Sequence, residues 1–245
     1  MKAINVHSYE SMGTFDGPGL RYVIFLQGCP FRCLYCANPD TIDMVGESHA
    51  TSPQYILEQA KSMKPFFGKR GGVTFSGGEP LLQSAFLEGL IPLLKTPTPL
   101  QLAIETSGFA APDAYRRVVS QIDLVFQDLK HPDPVEHKRW TGVDPAPIHA
   151  NLRWLKDSGR PFIARIPLIP GVNDTPEAKE GFARLLEGPS GLLRVELLPY
   201  HRLGVHKYEA MGLEYKLPDV KENTPEQLAR AEGILREYFP QLVVN

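Results

Sequence analysis

Six short apolar runs, each followed by a helical pattern, constrain the fold of this 245-residue chain more than any other feature. Near-continuous runs of β-forming residues are typical of strands that are buried on both faces of a parallel sheet. Strands that alternate with helices form right-handed βαβ units. The sequence therefore predicts an α/β fold with six such units, in either an open partial barrel or a doubly wound sheet. The runs occupy residues 22–27, 72–75, 100–104, 124–127, 162–166 and 193–198.

Residues that could bind a ligand or a metal follow most of these predicted strands. In both candidate folds, ligands bind at the carboxyl ends of the parallel strands. Arg165 differs in that it lies inside the fifth run, where a charge is costly unless it is paired or liganded. The sequence therefore predicts an active site on one rim of the sheet. The residues that follow the strands are Cys29, Cys33, Cys36, Gly77, Gly78, Glu79, Glu105, Asp128, Lys130 and His201.

Most of these residues also have an ordinary structural interpretation. The glycine pair at 77–78 is common in turns, and Glu79 is compatible with a solvated carboxylate beyond such a turn. Asp128 and Lys130 are two residues apart and can form a local ion pair, and a single histidine such as His201 is often structural. The coincidence of several polar loops on one predicted rim favours function. Three further histidines are expected at the surface or in loops, namely His131, His137 and His206.

All three cysteines of the chain lie in one short loop with the spacing C-x3-C-x2-C. Three thiolates leave one corner open in a [4Fe-4S] cluster or a tetrahedral zinc site. A structural zinc site usually closes with a fourth cysteine or a histidine, but the next histidine after Cys36 is His49. An odd number of crowded cysteines also disfavours disulfides and suits a reducing compartment. The pattern therefore favours an iron–sulfur site over zinc.

The charge and the apolar segments of the chain argue against several classes of function. A net charge of −2 and a pI near 6.4 argue against broad electrostatic binding of nucleic acid. The first residues contain no apolar segment typical of a secretion signal. No run approaches the 18 apolar residues of a spanning helix. We therefore expect a cytoplasmic protein that binds neither nucleic acid nor membranes.

The cysteine loop and its surroundings resemble the signature of radical S-adenosylmethionine (SAM) enzymes that activate glycyl radical enzymes. Tyr35 supplies the aromatic residue of the Cys-x3-Cys-x-aromatic-Cys core. The likeness extends over essentially the whole chain. It continues at 76–79, 105–108, 128–130, Arg165, 198–201 and in the tail at 203–216. The longest match is Gly17-x-Gly19-x-Arg21-x3-Phe25-x2-Gly28-Cys29-x3-Cys33-x2-Cys36-x-Asn38.

The resemblance implies a specific form of the α/β fold. Enzymes of this family have a partial (β/α)6 TIM-like barrel of the radical SAM type in a single domain. We therefore expect residues 1–245 to form one radical SAM core domain. It would contain an N-terminal segment with a glycine-rich loop at 1–21, six βα units at 22–200, and a C-terminal loop and helix at 201–245.

The resemblance also implies the cofactors and the reaction. One [4Fe-4S] cluster is held by the three cysteines, and the methionyl amino and carboxylate groups of SAM bind its fourth iron. Reductive cleavage of SAM yields methionine and a 5′-deoxyadenosyl radical, which takes a hydrogen atom from a glycine Cα of the partner. A partner loop enters the mouth of the barrel, where Asp16 is similar to a residue that contacts it. The residues expected to bind SAM are Tyr35 beside the adenine, Gly77, Gly78, Glu79, Asp128, Lys130, Arg165 and His201.

One position departs from the family pattern. Glu105 stands where family members commonly have an aspartate at a site for a monovalent cation, so we expect Na⁺ or K⁺ near Glu105, Thr106 and Asp128. Three cysteines cannot hold an additional cluster, which favours the smaller activases that lack a ferredoxin-like insert. The family also implies flavodoxin or a similar electron donor, and we expect a monomer.

Two other functions stay open. One is a radical SAM enzyme that acts on a small molecule, such as a purine-like heterocycle. The other is a non-catalytic zinc module. The tail and the glycine-rich loop favour the activase.

Overall fold

The structure of the protein, a computed structural model, divides into two compact units. The first unit comprises residues 1–30 and 41–126, and the second comprises 31–40 and 127–245. One boundary therefore lies inside the cysteine loop. The residues that the structure describes are 3–44, 50–97, 99–188, 191–241 and 243–244.

The first unit is built on a sheet in the order β3-β1-β2-β4-β5. Strands β2, β4 and β5 are parallel to one another, whereas β1 runs antiparallel to both β2 and β3. The interior of this unit is formed by the apolar side chains of the three parallel strands, which are almost entirely buried. The strands are β1 (Ile4–Gly13), β2 (Arg21–Leu26), β3 (Ala50–Thr51), β4 (Gly72–Gly77) and β5 (Gln101–Thr106).

Helices follow the strands of the first unit. Helix α2 buries five large apolar side chains, and each contributes about 1.5–3 kcal/mol when fully buried. It continues through Pro92, two residues before its end. The helices are α1 (Pro53–Met63), α2 (Ser84–Leu94) and α3 (Pro112–Val119). The next element is strand β6 (Leu124–Asp128), and the second boundary between the units lies within it.

The second unit repeats the alternation of strand and helix. Strand β7 is parallel to β8, and β8 is parallel to β9. The last long helix begins with a capping box, in which Thr224 and Gln227 each bind the backbone N–H of the other. The elements are α4 (Pro134–Thr141), α5 (Ala146–Asp157), β7 (Phe162–Leu168), α6 (Pro176–Leu186), β8 (Leu192–Pro199), α7 (Val205–Ala210), α8 (Pro225–Tyr238) and β9 (Val243–Val244).

All six predicted strands are present, as β2 and β4 to β8, and the α/β class is confirmed. The sequence did not indicate β1, which lies between β3 and β2 and runs antiparallel to both. Helices α4 and α7 were also not predicted, and both are short. In the described part of the chain, no helix is long and apolar enough to cross a membrane.

Two of the histidines that were expected at the surface or in loops are buried. His131 is 7% exposed but lies in a loop, as expected, whereas His137 is 3% exposed and lies in helix α4, so the expectation is wrong for His137. Nδ1 of His137 donates to the Val143 carbonyl at 2.9 Å, which ties helix α4 to the loop after it. Burial lowers the pKa of His137 to about 4, although the hydrogen bond to Val143 opposes this effect. The imidazole is therefore neutral in the folded protein near neutral pH.

The burial of His137 predicts a pH dependence of stability. An unfolded histidine takes up a proton below its ordinary pKa of 6.5, whereas the folded one does so only near 4. The free energy of unfolding should therefore fall as pH drops through this window. The contribution of His137 should fall by about 2 kcal/mol between about pH 7 and about pH 5.

The His137→Asn variant tests this prediction because its side-chain amide can still donate to Val143. Urea unfolding of the cluster-free protein should show a smaller loss of stability in His137→Asn than in the wild type, by about 2 kcal/mol. The exposed His206 provides the control, since His206→Asn should follow the wild type. The same pH dependence in all three proteins would contradict the prediction.

Candidate active site

The first unit carries its predicted site residues at the carboxyl ends of β2, β4 and β5. The parallel register places Leu26 beside Gly77 and Phe75 beside Ile104, so these three strand ends share one edge. Backbone bonds join the segments that follow β2 and β4. Gly78 N–H donates to Leu26 O, and Glu79 N–H donates to Gly28 O, both at 2.9 Å. The start of the cysteine loop is therefore fixed to the Gly77-Gly78-Glu79 turn.

The two glycines of this turn are required by the protein backbone itself. Gly77 has a φ of +111°, which favours glycine. A Cβ atom at Gly78 would collide with the carbonyl of Gly28, and one at Gly77 would collide with the backbone of Leu26. The glycine pair thus allows β4 to end directly against the end of β2.

The carboxylate of Glu79 links the ends of β4 and β5. It is 2% exposed and accepts hydrogen bonds from Thr106 Oγ1 at 2.6 Å and Leu81 N–H at 3.1 Å. Both the N–H and the hydroxyl of Ser107 donate to its other oxygen. Burial raises the pKa of Glu79, while these donors oppose the change. The interpretation of Glu79 as a solvated carboxylate is therefore wrong.

Glu105 and Thr106 lie at the end of β5. Oε2 of Glu105 accepts a hydrogen bond from Ser76 Oγ at 2.6 Å. The Thr106 hydroxyl donates to Glu79 and accepts from Gly108 N–H at 2.9 Å. Side-chain hydrogen bonds therefore join β4 to β5 along this edge.

The backbone of Asp16 lies beside the middle of β4. It precedes β2, whose first residue, Arg21, pairs with the first residue of β4. Thr74 Oγ1 accepts from Arg21 Nε at 2.9 Å and donates to the Asp16 carbonyl at 2.8 Å. Thr74 lies three residues before Gly77, so about 10 Å of strand separates the Asp16 carbonyl from the carboxyl end of β4.

The second unit holds the cysteine loop between helices α4 and α7. Arg32 N–H donates to the Thr141 carbonyl at 2.8 Å, and Leu34 N–H donates to the Trp140 carbonyl at 3.0 Å, so the loop lies on the end of α4. The α7 contacts involve Tyr208, whose hydroxyl donates to the Cys36 carbonyl at 3.0 Å, and Lys207, which binds Asn38 at 2.8 Å and Asp40 at 2.9 Å. The only signal for Lys207 and Tyr208 in the sequence was the resemblance of the tail.

Lys130 and Asp128 form the ion pair that their spacing suggested, with an Nζ–Oδ2 distance of 3.1 Å. Burial favours a lower pKa for Lys130, but Asp128, together with Cys33 and Tyr35, raises that pKa well above its usual value. The lysine is therefore charged. Asn173, which the sequence analysis missed, donates to the Lys130 carbonyl at 3.0 Å and fixes this segment.

The hydroxyl oxygen of Tyr35 is shielded from solvent and has no hydrogen-bond partner among the residues that the structure describes. Its ring packs beside the apolar residues Ile169, Tyr200 and Leu217. A tyrosine hydroxyl inside a protein usually has a partner, so this one is available to a bound polar group.

Arg165 and His201 differ in exposure. Arg165 lies in β7, is 9% exposed, and donates from Nε to Glu196 Oε2 at 2.9 Å. Its carbonyl accepts Leu129 N–H at 2.8 Å, so it lies beside the Asp128-Lys130 segment. His201 follows β8 and is exposed, and its Nδ1 accepts a 3.4 Å bond from Leu203 N–H.

The cysteine residues fit an iron–sulfur cluster by donor type and spacing. The three cysteines form no disulfide with one another, and each is partly exposed. Burial raises the pKa of Cys36, and the Asn38 N–H and Lys130 oppose this rise by stabilising a thiolate. Within the described ranges, no three His, Cys, Asp or Glu side chains converge on one metal position. A cubane cluster offers a separate iron to each thiolate, so such convergence is not required.

Comparisons with known proteins identify the family. The Radical SAM superfamily model matches residues 23–179. The pyruvate formate-lyase-activating enzyme of Clostridium pasteurianum is 39% identical over 95% of this chain and 97% of its own length. The chain belongs to the radical SAM superfamily, in the family of pyruvate formate-lyase-activating enzymes. The Staphylococcus aureus (strain USA300) member is also 39% identical, over 93% of each chain.

A solved structure supports the assignment of the fold. A domain of a pyruvate-formate lyase-activating enzyme from Bacteroides vulgatus matches with a TM-score of 0.60 and 27% identity, over 71% of this chain and 99% of its own. The predicted α/β fold of the radical SAM type is therefore confirmed. Membership of this superfamily implies that the protein is an enzyme that works with a [4Fe-4S] cluster and SAM, rather than a non-catalytic zinc module.

The buried carboxylate of Glu79 predicts a stability effect. In Glu79→Gln, the amide nitrogen must face at least one of the donors from Thr106, Ser107 or Leu81, so a buried donor loses its acceptor. Urea unfolding of the cluster-free protein should show a loss of about 1.5–3 kcal/mol. Glu88→Gln is the matched control, because its ion pair with the exposed Arg117 is at the surface and is worth about 1 kcal/mol or less. Equal losses in the two variants would contradict the role of Glu79.

Proposed function

We propose that this protein activates a glycyl radical enzyme of the pyruvate formate-lyase type. The observation that carries the proposal is the 39% identity over almost the full length of enzymes with that activity in their names. The three-cysteine loop and the radical SAM fold supply the corresponding chemistry. A reduced [4Fe-4S] cluster held by the three cysteines would supply the electron that cleaves SAM into methionine and a 5′-deoxyadenosyl radical, and this radical would remove a hydrogen atom from a glycine Cα of the partner.

We assign the cofactor residues by their positions and chemistry. Cys29, Cys33 and Cys36 would hold the cluster through thiolate sulfurs. The backbone at Gly77, Gly78 and Glu79 would receive the methionyl amine, and the carboxylate of Glu79 keeps that backbone in place. The other residues that would bind SAM are Tyr35, Asp128, Lys130, Arg165 and His201.

The charged side chains of the second unit are suited to an anionic ligand group. Lys130 is protonated because Asp128 raises its pKa, and Arg165 is a permanent cation at neutral pH. Both can donate hydrogen bonds to oxygen atoms of SAM. Lys207 and Tyr208 of helix α7 bind Asn38 and the Cys36 carbonyl, respectively. These two contacts limit the movement of the cysteine loop.

Asp16 is the residue to which we assign contact with the partner. Its backbone is held by Thr74, which is itself held by the buried Arg21. This arrangement presents a fixed loop to an incoming segment.

We also propose that residues 1–245 act as one radical SAM core domain. The protein would be a cytoplasmic monomer that receives electrons from flavodoxin or a similar protein. It would have neither nucleic acid nor membranes as partners. The family model spans residues of both units, which supports a single domain.

Electron paramagnetic resonance tests the proposed activity. Anaerobically purified protein should contain about four irons. After reduction, and with SAM and a glycyl radical enzyme, it should produce a glycyl doublet in the partner. Cleavage of SAM without a doublet from any candidate partner would instead support an enzyme that acts on a small molecule. A colourless protein loaded with zinc would contradict the assignment of a cluster.

The Cys33→Ser variant should not cleave SAM. The hydroxyl of serine is a poor ligand for iron because it is hard and remains protonated, so the cluster should be lost or inactive. The measurements are iron content and the release of methionine and 5′-deoxyadenosine under reducing conditions. Unfolding of both cluster-free proteins provides the control, since the two side chains are nearly equal in size. Turnover comparable to that of the wild type would be incompatible with the assignment.

A monovalent cation, Na⁺ or K⁺, is proposed at Glu105, Thr106 and Asp128. Carboxylate and carbonyl oxygens are suitable ligands for a hard cation. Glu105→Gln removes one charge, so the K⁺ concentration that gives half-maximal SAM binding should rise by about tenfold, equivalent to about 1.4 kcal/mol. Ser76→Ala is the matched control, because it removes the hydrogen bond to Glu105 but keeps both carboxylates. SAM binding that does not depend on K⁺ in the wild type would argue against the site.

A further inference from the structure

Glu196 is a buried carboxylate to which neither the sequence nor the proposed mechanism assigns a role. It lies in β8 and is 1% exposed. The register of the parallel strands places it directly beside Arg165 of β7. Arg194 precedes it by two residues and therefore lies on the same face of β8.

Each oxygen of the Glu196 carboxylate binds a different arginine. Oε2 accepts from Arg165 Nε at 2.9 Å. Oε1 accepts from Arg194 Nε at 2.7 Å and from a terminal nitrogen of Arg194 at 2.6 Å. The Arg165 side chain is 11% exposed, whereas that of Arg194 is 43% exposed. The inner pair is therefore shielded from solvent and the outer pair is not.

The contact with Glu196 limits how Arg165 can point. A guanidinium group is planar, so a bond at Nε fixes the plane that contains both terminal nitrogens. The contact with Glu196 therefore sets the plane in which the terminal N–H groups of Arg165 point.

The contact also balances the charges in this part of the second unit. The Arg165 carbonyl accepts Leu129 N–H, so its backbone adjoins that of Lys130. Lys130 is paired with Asp128 at 3.1 Å, and Arg165 is paired with Glu196. Each cation therefore has its own carboxylate, which reduces the repulsion between the two cations and keeps both in place.

We propose that Glu196 is a positioning residue for SAM binding, which acts by orienting Arg165 and does not touch SAM. This inference rests on the proposed function, in which Arg165 contacts SAM. Buried ion pairs often contribute little net stability compared with apolar residues. The small stabilisation expected from the pair does not by itself account for it, whereas the orientation of a ligand-binding arginine gives the pair a functional role.

The test measures the affinity of the oxidised, cluster-loaded protein for SAM by equilibrium dialysis, in which no turnover occurs. Glu196→Gln should raise the dissociation constant by about tenfold or more, because its amide cannot accept from both arginines. Arg194→Gln is the matched control and should change the constant by less than about twofold, since it leaves the contact with Arg165 intact. Unfolding midpoints show whether each variant is folded.

A double-mutant cycle separates positioning from a general structural role. In an Arg165→Gln background, Glu196→Gln should cause little further loss of SAM affinity, because its effect passes through Arg165. If the losses multiply, or if Glu196→Gln binds SAM as the wild type does, the inference is overturned. If Glu196→Gln does not fold, Glu196→Asp replaces it. This shorter carboxylate should weaken SAM binding by about threefold or more, and unchanged affinity would overturn the inference.

The outcome for the wild type distinguishes this inference from the proposed function. A wild-type protein that carries a cluster but does not bind SAM would contradict the function itself. A wild type that binds SAM, with a Glu196→Gln variant that binds equally well, would contradict only the role of Glu196.

Discussion

The buried carboxylate of Glu79 is the interaction on which the edge of the first unit depends. A carboxylate removed from water is stable only when donors replace the lost solvent. Here the donors come from the end of β5 and from the turn after β4, so the requirement for compensation fixes these segments to each other. The same turn binds the start of the cysteine loop through Gly28. The backbone assigned to SAM is thus arranged by the protein alone, which lowers the cost of ordering it when a ligand binds.

The second unit uses charge pairs for the same purpose. Lys130 and Lys207 each bind a carboxylate, Asp128 and Asp40 respectively, and Arg165 binds Glu196. Such pairs are weak contributors to stability, since desolvation offsets much of their attraction. They do restrict long side chains to one direction, and Asp128 also raises the pKa of Lys130 and so keeps it protonated. An arrangement of fixed cations is what the binding of an anionic group requires.

The sequence predicted the strands of the sheet but few of the contacts between them. The six buried strands were found because their apolar runs are nearly continuous, whereas β1 has no such run and its alternation breaks at His7 and Ser8, where its register with β2 shifts. The bonds of Glu79 to Ser107 and of Glu196 to Arg165 depend on the register between strands, which single-chain patterns do not reveal. The burial of His137 was missed because helix α4 was not predicted.

The position of Asp16 has a consequence for the partner, if the proposed contact holds. The Asp16 carbonyl is bound by Thr74, which lies three residues before Gly77, so about 10 Å of strand separates this contact from the carboxyl end of β4. An extended chain advances at most about 3.3–3.6 Å per residue. A partner segment that touches Asp16 and also brings a glycine to the carboxyl edge must therefore supply about three extended residues. A short turn that exposed only the glycine would not span this distance, so the partner has to release a longer stretch of chain.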